Sequence, residues 1–93
     1  MAAVRMYSTA ICPYCVRAER LLERKGVEVE KIRVDLDPER YGEMVAAAGG
    51  LTSVPQIFIG DRHVGGCDEL VALERSGRLD AMLAEAGHGG DGD

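Results

Sequence analysis

The sequence of 93 residues has no tryptophan, a single phenylalanine and no excess of basic residues. Its formal net charge at pH 7 is −5, whereas a chain that binds nucleic acid usually presents a basic surface. With so few aromatic rings, a stacking platform for unpaired bases is missing as well. Both absences argue against nucleic acid as a partner.

Long apolar runs are also absent. No segment approaches the roughly 18 consecutive apolar residues that a membrane-spanning helix requires. The first nine residues lack the basic segment and apolar stretch that are typical of a secretion signal. We therefore expect a cytoplasmic protein without a membrane partner.

Cysteine is scarce, with only Cys12, Cys15 and Cys67. In a chain without a secretion signal, three cysteines do not build a multi-disulfide scaffold, and a closely spaced pair suits redox or metal chemistry. A zinc site would need a second pair of ligands. His63, Cys67 and His88 do not supply one at the usual spacing. The sequence therefore favours redox chemistry.

The apolar pattern predicts one α/β domain over residues 1–86. Strands are predicted over residues 4–7, 27–34, 56–59 and 63–64, and helices over 13–25, 39–48, 67–76 and 79–86. The segment 87–93 has no apolar side chain to bury and is expected to be a disordered tail. Because a domain of this size cannot enclose a bulky cofactor, we expect its active site in a surface groove.

The predicted first helix begins directly after Cys12, because Pro13 suits a first helical position. A thiol at this N-cap faces unpaired backbone N–H groups and the positive end of the helix dipole, which both stabilise a thiolate. We expect the pKa of Cys12 to lie roughly between 3.5 and 7.5. Such a thiolate attacks disulfides and also leaves readily, so thiol–disulfide exchange is the favoured reaction.

Cys15 lies on the apolar stripe of the same helix, together with Ala18 and Leu22. It is expected to face the core, to keep a higher pKa than Cys12, and to stay shielded until Cys12 enters a mixed disulfide. Its expected role is to resolve that mixed disulfide.

Three segments, taken together and in this order, resemble the signature segments of glutaredoxins. They are Cys12-Pro13-Tyr14-Cys15, Ser53-Val54-Pro55 and Gly65-Gly66-Cys67-Asp68. The resemblance covers about residues 4–83. It implies a thioredoxin-like fold, in which helices flank a four-stranded mixed sheet, with a cis peptide bond before Pro55. It also implies an enzyme that uses glutathione to reduce protein disulfides and glutathione mixed disulfides. We expect this enzyme to be a monomer, although the sequence does not determine its oligomeric state.

The resemblance further implies a binding site for glutathione as co-substrate, with no metal ion. Its residues are Tyr14, Ser53, Val54, Pro55, Gly66, Cys67 and Asp68. In the family, the backbone at Val54 pairs with the cysteine of glutathione like an added strand. Cys67 and Asp68 would hold the γ-glutamyl end, and the two preceding glycines would allow close approach.

Two positions depart from the family pattern. Thr9 stands where many glutaredoxins carry a lysine, and residues 50–52 lack the arginine or glutamine that often precedes the second segment. In the family, the lysine and the arginine or glutamine at these positions pair with the glycine carboxylate of glutathione. Because an exposed ionic contact contributes up to about 1 kcal/mol, we expect glutathione binding to be weakened but retained.

Two alternatives to this function stay open. Some relatives of the family hold an iron–sulfur cluster between two chains through the first cysteine and glutathione, although Pro13 would stiffen that loop. The other alternative is a thioredoxin-like electron donor, reduced by a flavin reductase or another small thiol. The first and third signature segments argue against it.

Overall fold

The structure of the chain is a computed structural model that describes residues 3–86; the predicted tail 87–93 lies outside the described residues. The strands are β1 Val4–Ser8, β2 Val29–Arg33, β3 Gln56–Ile59 and β4 Arg62–Gly65. The helices are α1 Pro13–Arg24, α2 Pro38–Ala47, α3 Cys67–Arg75 and α4 Leu79–Glu85. Each predicted element is present, and no boundary differs by more than two residues.

The four strands form one sheet in the order β2-β1-β3-β4. β1 pairs in parallel with β2 and antiparallel with β3, and β3 pairs antiparallel with β4. The sheet is therefore mixed and flanked by helices, which confirms the predicted thioredoxin-like architecture. No helix within residues 3–86 is both long and apolar enough to cross a membrane.

Successive side chains of the central strand β1 enter two different cores, as expected for a strand buried on both faces. Met6 packs with Leu22 of α1 and Leu70 of α3 on one face. Tyr7 packs with Met44 of α2 on the other face. The Tyr7 hydroxyl donates a hydrogen bond to the carboxylate of Glu43 at 2.5 Å, which ties α2 to the sheet.

Two boundaries differ from the sequence prediction for identifiable reasons. β2 begins two residues late because the backbone N–H of Val27 donates to the carbonyl of Leu22, so this residue closes α1 and does not enter the sheet. α2 begins one residue early, at Pro38, because the carboxylate of Asp37 caps the helix by accepting from the N–H of Glu39 at 3.0 Å.

The strand directions bring the three signature segments to one end of the sheet. Tyr7, near the end of β1, pairs with Gln56 at the start of β3. Gly65, at the end of β4, pairs with Ile57 of the same strand β3. The loop after β1, the segment before β3 and the segment after β4 therefore lie at this end of the sheet, although they are far apart in sequence.

Candidate functional site

Cys12 is the N-cap of α1, as predicted. Its backbone is extended, with φ −147° and ψ 95°, and Pro13 occupies the first helical turn. The N–H of Cys15 donates to the sulfur of Cys12 at 3.1 Å. A sulfur at this position thus accepts one of the backbone N–H groups that a helix leaves unpaired at its start.

Cys12 and Cys15 form a disulfide across one turn of α1, with their Cα atoms 5.2 Å apart. Cys15 is only 4% exposed, whereas Cys12 is half-buried. A reagent in solution therefore reaches the sulfur of Cys12 and not that of Cys15. This asymmetry is what the helical spacing of the two residues predicts.

Cys67, the third cysteine, is a free thiol buried at the start of α3. Burial raises the pKa of this thiol above its usual range, and the charge of Arg17 opposes that effect only in part. Cys67 packs in the same core cluster as Cys15. It is therefore a small buried side chain in that cluster, held in its protonated form.

The segment before β3 contains a cis peptide bond between Val54 and Pro55, as the resemblance implies. The buried side chain of Gln56 braces this segment, since its amide Nε2 donates to the carbonyl of Ser53 at 3.0 Å and to the Ser53 hydroxyl at 3.3 Å. His63 of β4 lies 2.7 Å from the amide oxygen of Gln56. Because an amide oxygen only accepts, the imidazole Nε2 must donate there.

Sequence reasoning did not identify these hydrogen bonds of the Gln56 side chain. Gln56 is 2% exposed and is the one polar residue in the run that forms β3. A buried glutamine in an apolar strand must have hydrogen-bond partners, and that requirement was the available signal. The partners themselves lie three and seven residues away and depend on the fold.

The segment after β4 approaches the Val54–Pro55 bond closely. Gly65 has φ +110°, a conformation that favours glycine, and a Cβ added at Gly66 would lie 3.5 Å from the carbonyl oxygen of Pro55. The N–H of Gly66 donates to the carboxylate of Glu69 at 2.8 Å. The absence of a side chain at Gly66 thus lets this segment lie close to the backbone of Pro55.

The predicted site residues fall into an inner and an outer group. Cys12 and Val54 both pack against the cluster that contains Cys15 and Cys67. Outside it, Tyr14 is 56% exposed in the first turn of α1, and Ser53 and Asp68 are exposed as well. The structure therefore places Cys12 and Val54, both half-buried, against one core cluster, whereas the side chains of Tyr14, Ser53 and Asp68 are exposed.

An ion pair that the sequence did not predict holds the loop before Cys12. Asp35 accepts two hydrogen bonds of 2.7 Å from the guanidinium of Arg33 and one of 3.2 Å from the backbone N–H of Ala10. The guanidinium is the largest cause that lowers the pKa of Asp35 from its ordinary 3.8 to about 2. The loop is therefore tied to the end of β2 at neutral pH.

We expect an NMR titration of the Asp35 carboxyl to give a pKa of about 2. Because the folded pKa is depressed, the stabilising contribution is complete above about pH 4 and is lost as the pH falls toward 2. Arg33→Gln should return the pKa toward 3.8, whereas Arg40→Gln, which removes a guanidinium from a different carboxylate, should leave it unchanged. A wild-type pKa near 3.8 would contradict the ion pair.

No three histidine, cysteine, aspartate or glutamate side chains within the described part of the chain are grouped so as to hold a metal ion.

Comparisons with known proteins give one consistent family. The glutaredoxin family model matches residues 4–64. A glutaredoxin of Pseudomonas aeruginosa is 56% identical over 84 residues, which cover 90% of this chain and 99% of that protein. Glutaredoxin 3 of Escherichia coli is 46% identical over 83 residues, covering 89% and 99%. The crystal structure of a buckwheat glutaredoxin–glutathione complex superposes with a TM-score of 0.84 at 30% identity, covering 94% of this chain and 81% of that one.

Proposed function

The chain belongs to the glutaredoxin family, and on that premise we propose that it is a glutathione-dependent reductase of protein disulfides and glutathione mixed disulfides. Family and fold make it a thiol–disulfide oxidoreductase with a dithiol motif. The proposal adds glutathione as its reductant, Cys12 as nucleophile and Cys15 as resolving thiol.

The observation that carries the proposal is the asymmetry of the disulfide at the start of α1. One sulfur, that of Cys12, is accessible and accepts a backbone N–H, while its partner Cys15 is buried. An accessible, stabilised thiolate exchanges readily with external disulfides, and a buried partner acts only on the sulfur beside it. This division of roles is what a dithiol exchange enzyme requires.

On a glutathione mixed disulfide, the thiolate of Cys12 attacks the sulfur of the glutathione unit and the protein thiolate leaves, taking up a proton from solvent. A second glutathione thiolate then attacks the glutathione sulfur held on Cys12. This step releases oxidised glutathione and restores the Cys12 thiolate, so Cys15 takes no part.

On a protein disulfide, Cys12 attacks one sulfur and releases the other as a thiolate. Cys15 then attacks the sulfur of Cys12 and releases the second substrate thiol, leaving the Cys12–Cys15 disulfide that the structure contains. Two glutathione molecules reduce this disulfide and are themselves converted to oxidised glutathione.

Glutathione is proposed to lie between the second and third signature segments. The open backbone of Val54 would pair with its cysteine, and the unpaired N–H groups at the start of α3, at Cys67 and Asp68, would bind its γ-glutamyl carboxylate. Ser53, Pro55 and Gly66 shape this edge. Tyr14 would flank the cysteine. The existence of a glutathione complex of the similar buckwheat protein supports glutathione as the ligand.

The proposed setting is a monomer in the cytoplasm that acts on glutathionylated and disulfide-containing proteins.

Thr9 supplies no positive charge for the glycine carboxylate of glutathione, so affinity at that end is expected to be reduced. The domain proper spans residues 1–86 in this proposal, with the last seven residues as a tail.

The proposed reductant is tested by measuring NADPH consumption with two regenerating systems, each with the full chain. One contains glutathione, glutathione reductase and a glutathione mixed disulfide; the other contains a flavin-linked thioredoxin reductase and a protein disulfide. We expect turnover with the first system and little with the second. Activity with thioredoxin reductase alone would show that the electron donor is wrong, although the dithiol chemistry would remain.

The hydrogen bonds between Gln56 and Ser53 give a prediction for substrate binding. Gln56→Leu removes both hydrogen bonds to Ser53, so the segment that presents Val54 should lose its fixed position. Because a hydrogen bond contributes roughly 0.5–1.5 kcal/mol, we expect KM for a glutathione mixed disulfide to rise about two- to tenfold with little change in kcat.

Ser76→Ala is the matched control for this prediction, because it also removes a side-chain hydrogen bond to a backbone carbonyl, that of Leu73, but at the end of α3 away from Cys67. It should behave nearly as the wild type. An unchanged KM in Gln56→Leu, with circular dichroism showing a folded protein, would contradict a positioning role for Gln56.

A further inference from the structure

The exposed face of α1 carries three arginines, Arg17, Arg20 and Arg24. Spacings of three and four residues place them on one side of a helix. Together with Pro13 and Val16 they line a shallow surface groove, which we call the arginine groove. It begins beside the reactive sulfur, because Pro13 directly follows Cys12.

None of these arginines forms an ion pair with a carboxylate of residues 3–86, whereas the nearby Lys25 and Lys31 both do. The acidic residues of α1 do not line the groove, and one of them, Glu19, is the partner of Lys31. No carboxylate of the described residues therefore lines the arginine groove or lies within ion-pair distance of its three guanidinium groups.

This concentration of charge is unexpected in a chain whose net charge is −5. Like charges three and four residues apart repel one another and weaken a helix. A fourth arginine, Arg75 of α3, shares a neighbouring groove with Arg17, and Asp68 is the one carboxylate that lines it. Arg17 also stacks over the Tyr14 ring, with its guanidinium carbon 5.7 Å from the ring centroid. No carboxylate of residues 3–86 pairs with Arg17, Arg20 or Arg24, however, which points to an anionic partner from outside.

We propose that the arginine groove docks an acidic segment of the protein substrate, next to the cysteine that exchanges with Cys12. The inference rests on the proposed function, because that function brings a protein to Cys12. A guanidinium presents paired donors that match a carboxylate. A protein segment is favoured over nucleic acid because the overall negative charge of the chain repels an extended polyanion.

The dimensions fit such a segment. With a rise of about 1.5 Å per residue, Arg17 and Arg24 are separated by roughly 10 Å along the helix axis. An extended chain covers that distance in about three residues. Two or three glutamates or aspartates close to the substrate cysteine would therefore face the three arginines. Exposed pairs of this kind contribute a few-fold each and are sensitive to salt.

Two glutathionylated peptides test the proposal by turnover. They are identical except that three glutamates next to the cysteine are replaced by glutamines in the second peptide. At low ionic strength we expect the wild type to prefer the acidic peptide about tenfold in kcat/KM. The preference should disappear in R20E/R24E and should shrink as salt is added. A loss of thiolate stability would lower both rates equally, so the ratio isolates docking.

A matched control reverses the charge of two arginines elsewhere on the surface. Arg62 and Arg78 line a different groove, and Arg62 pairs with Ile59, at the end of the sheet away from Cys12. R62E/R78E changes the net charge by the same amount as R20E/R24E. It should keep the wild-type ratio between the two peptides.

Binding without turnover separates this proposal from the proposed function. The probe is the fluorescent acidic peptide with serine in place of its cysteine, and its anisotropy is measured with each variant. We expect binding about tenfold weaker in R20E/R24E than in R62E/R78E, whether or not glutathione proves to be the reductant. Equal binding by the two variants, or tighter binding of an oligonucleotide of the same charge by the wild type, would overturn the proposal.

Discussion

Cys12→Ser is expected to abolish exchange on every substrate. Cys15→Ser is expected to lose the reduction of protein disulfides but to keep the removal of glutathione from mixed disulfides. Cys12 supplies the only accessible sulfur among the three cysteines, since Cys15 and Cys67 are buried. Without that nucleophile no mixed disulfide forms at all. We expect a fall in rate of about a thousandfold or more.

Cys15→Ser leaves the accessible thiol of Cys12 in place, so removal of glutathione from a mixed disulfide should continue within about threefold of the wild-type rate. Reduction of a protein disulfide should fall close to the uncatalysed rate, because no neighbouring thiol remains to release the substrate from Cys12. The two variants thus separate nucleophile from resolving thiol.

Both rates are measured for each variant with the glutathione reductase assay, using a glutathionylated peptide and a protein disulfide. Cys67→Ser is the matched control, since burial raises the pKa of that thiol and keeps it protonated. It should retain both activities. Loss of deglutathionylation in Cys15→Ser, or in Cys67→Ser, would refute the assigned roles.

Leu22→Ala is expected to destabilise the fold by about 2–5 kcal/mol. Leu22 is 0% exposed and joins α1 to the core cluster that includes Met6 of β1. Truncation removes apolar contacts and leaves a cavity that a small core fills only in part. Because domains of this size are stable by about 5–15 kcal/mol, the loss is a large share of the total.

Urea unfolding of the reduced protein measures this loss, with Leu36→Ala as the control. Leu36 is 72% exposed in the loop after β2, so its truncation should change the free energy of unfolding by less than about 0.5 kcal/mol. If both variants lost the same stability, Leu22 would not anchor α1 as the structure indicates.

Elements of the fold were predictable wherever a local signal exists. Pro13 and Gly26 indicate the two ends of α1. The short apolar run 56–59 predicts β3 with both boundaries correct. The late start of β2 was not predictable in this way. Val27 is as apolar as its neighbours, and only the position of α1 decides that its N–H closes the helix.

The site was predictable to the same extent. Cys12 at the helix start follows from Pro13, and Cys15 on the inner face follows from helical spacing. Gln56 with His63, and Asp35 with Ala10, depend on the register of strands and on loops far apart in sequence. The arginine groove lies between these cases: helical spacing aligns its residues, but only the structure shows that the described carboxylates leave them unpaired.

The central claim is that Cys12 forms a mixed disulfide with glutathione. Its most direct test is mass spectrometry of Cys15→Ser, reduced and then exposed briefly to oxidised glutathione. Without its resolving thiol, the variant should hold one glutathione per chain, and peptide mapping should place it on Cys12. No adduct, or an adduct on Cys67 alone, would contradict the account.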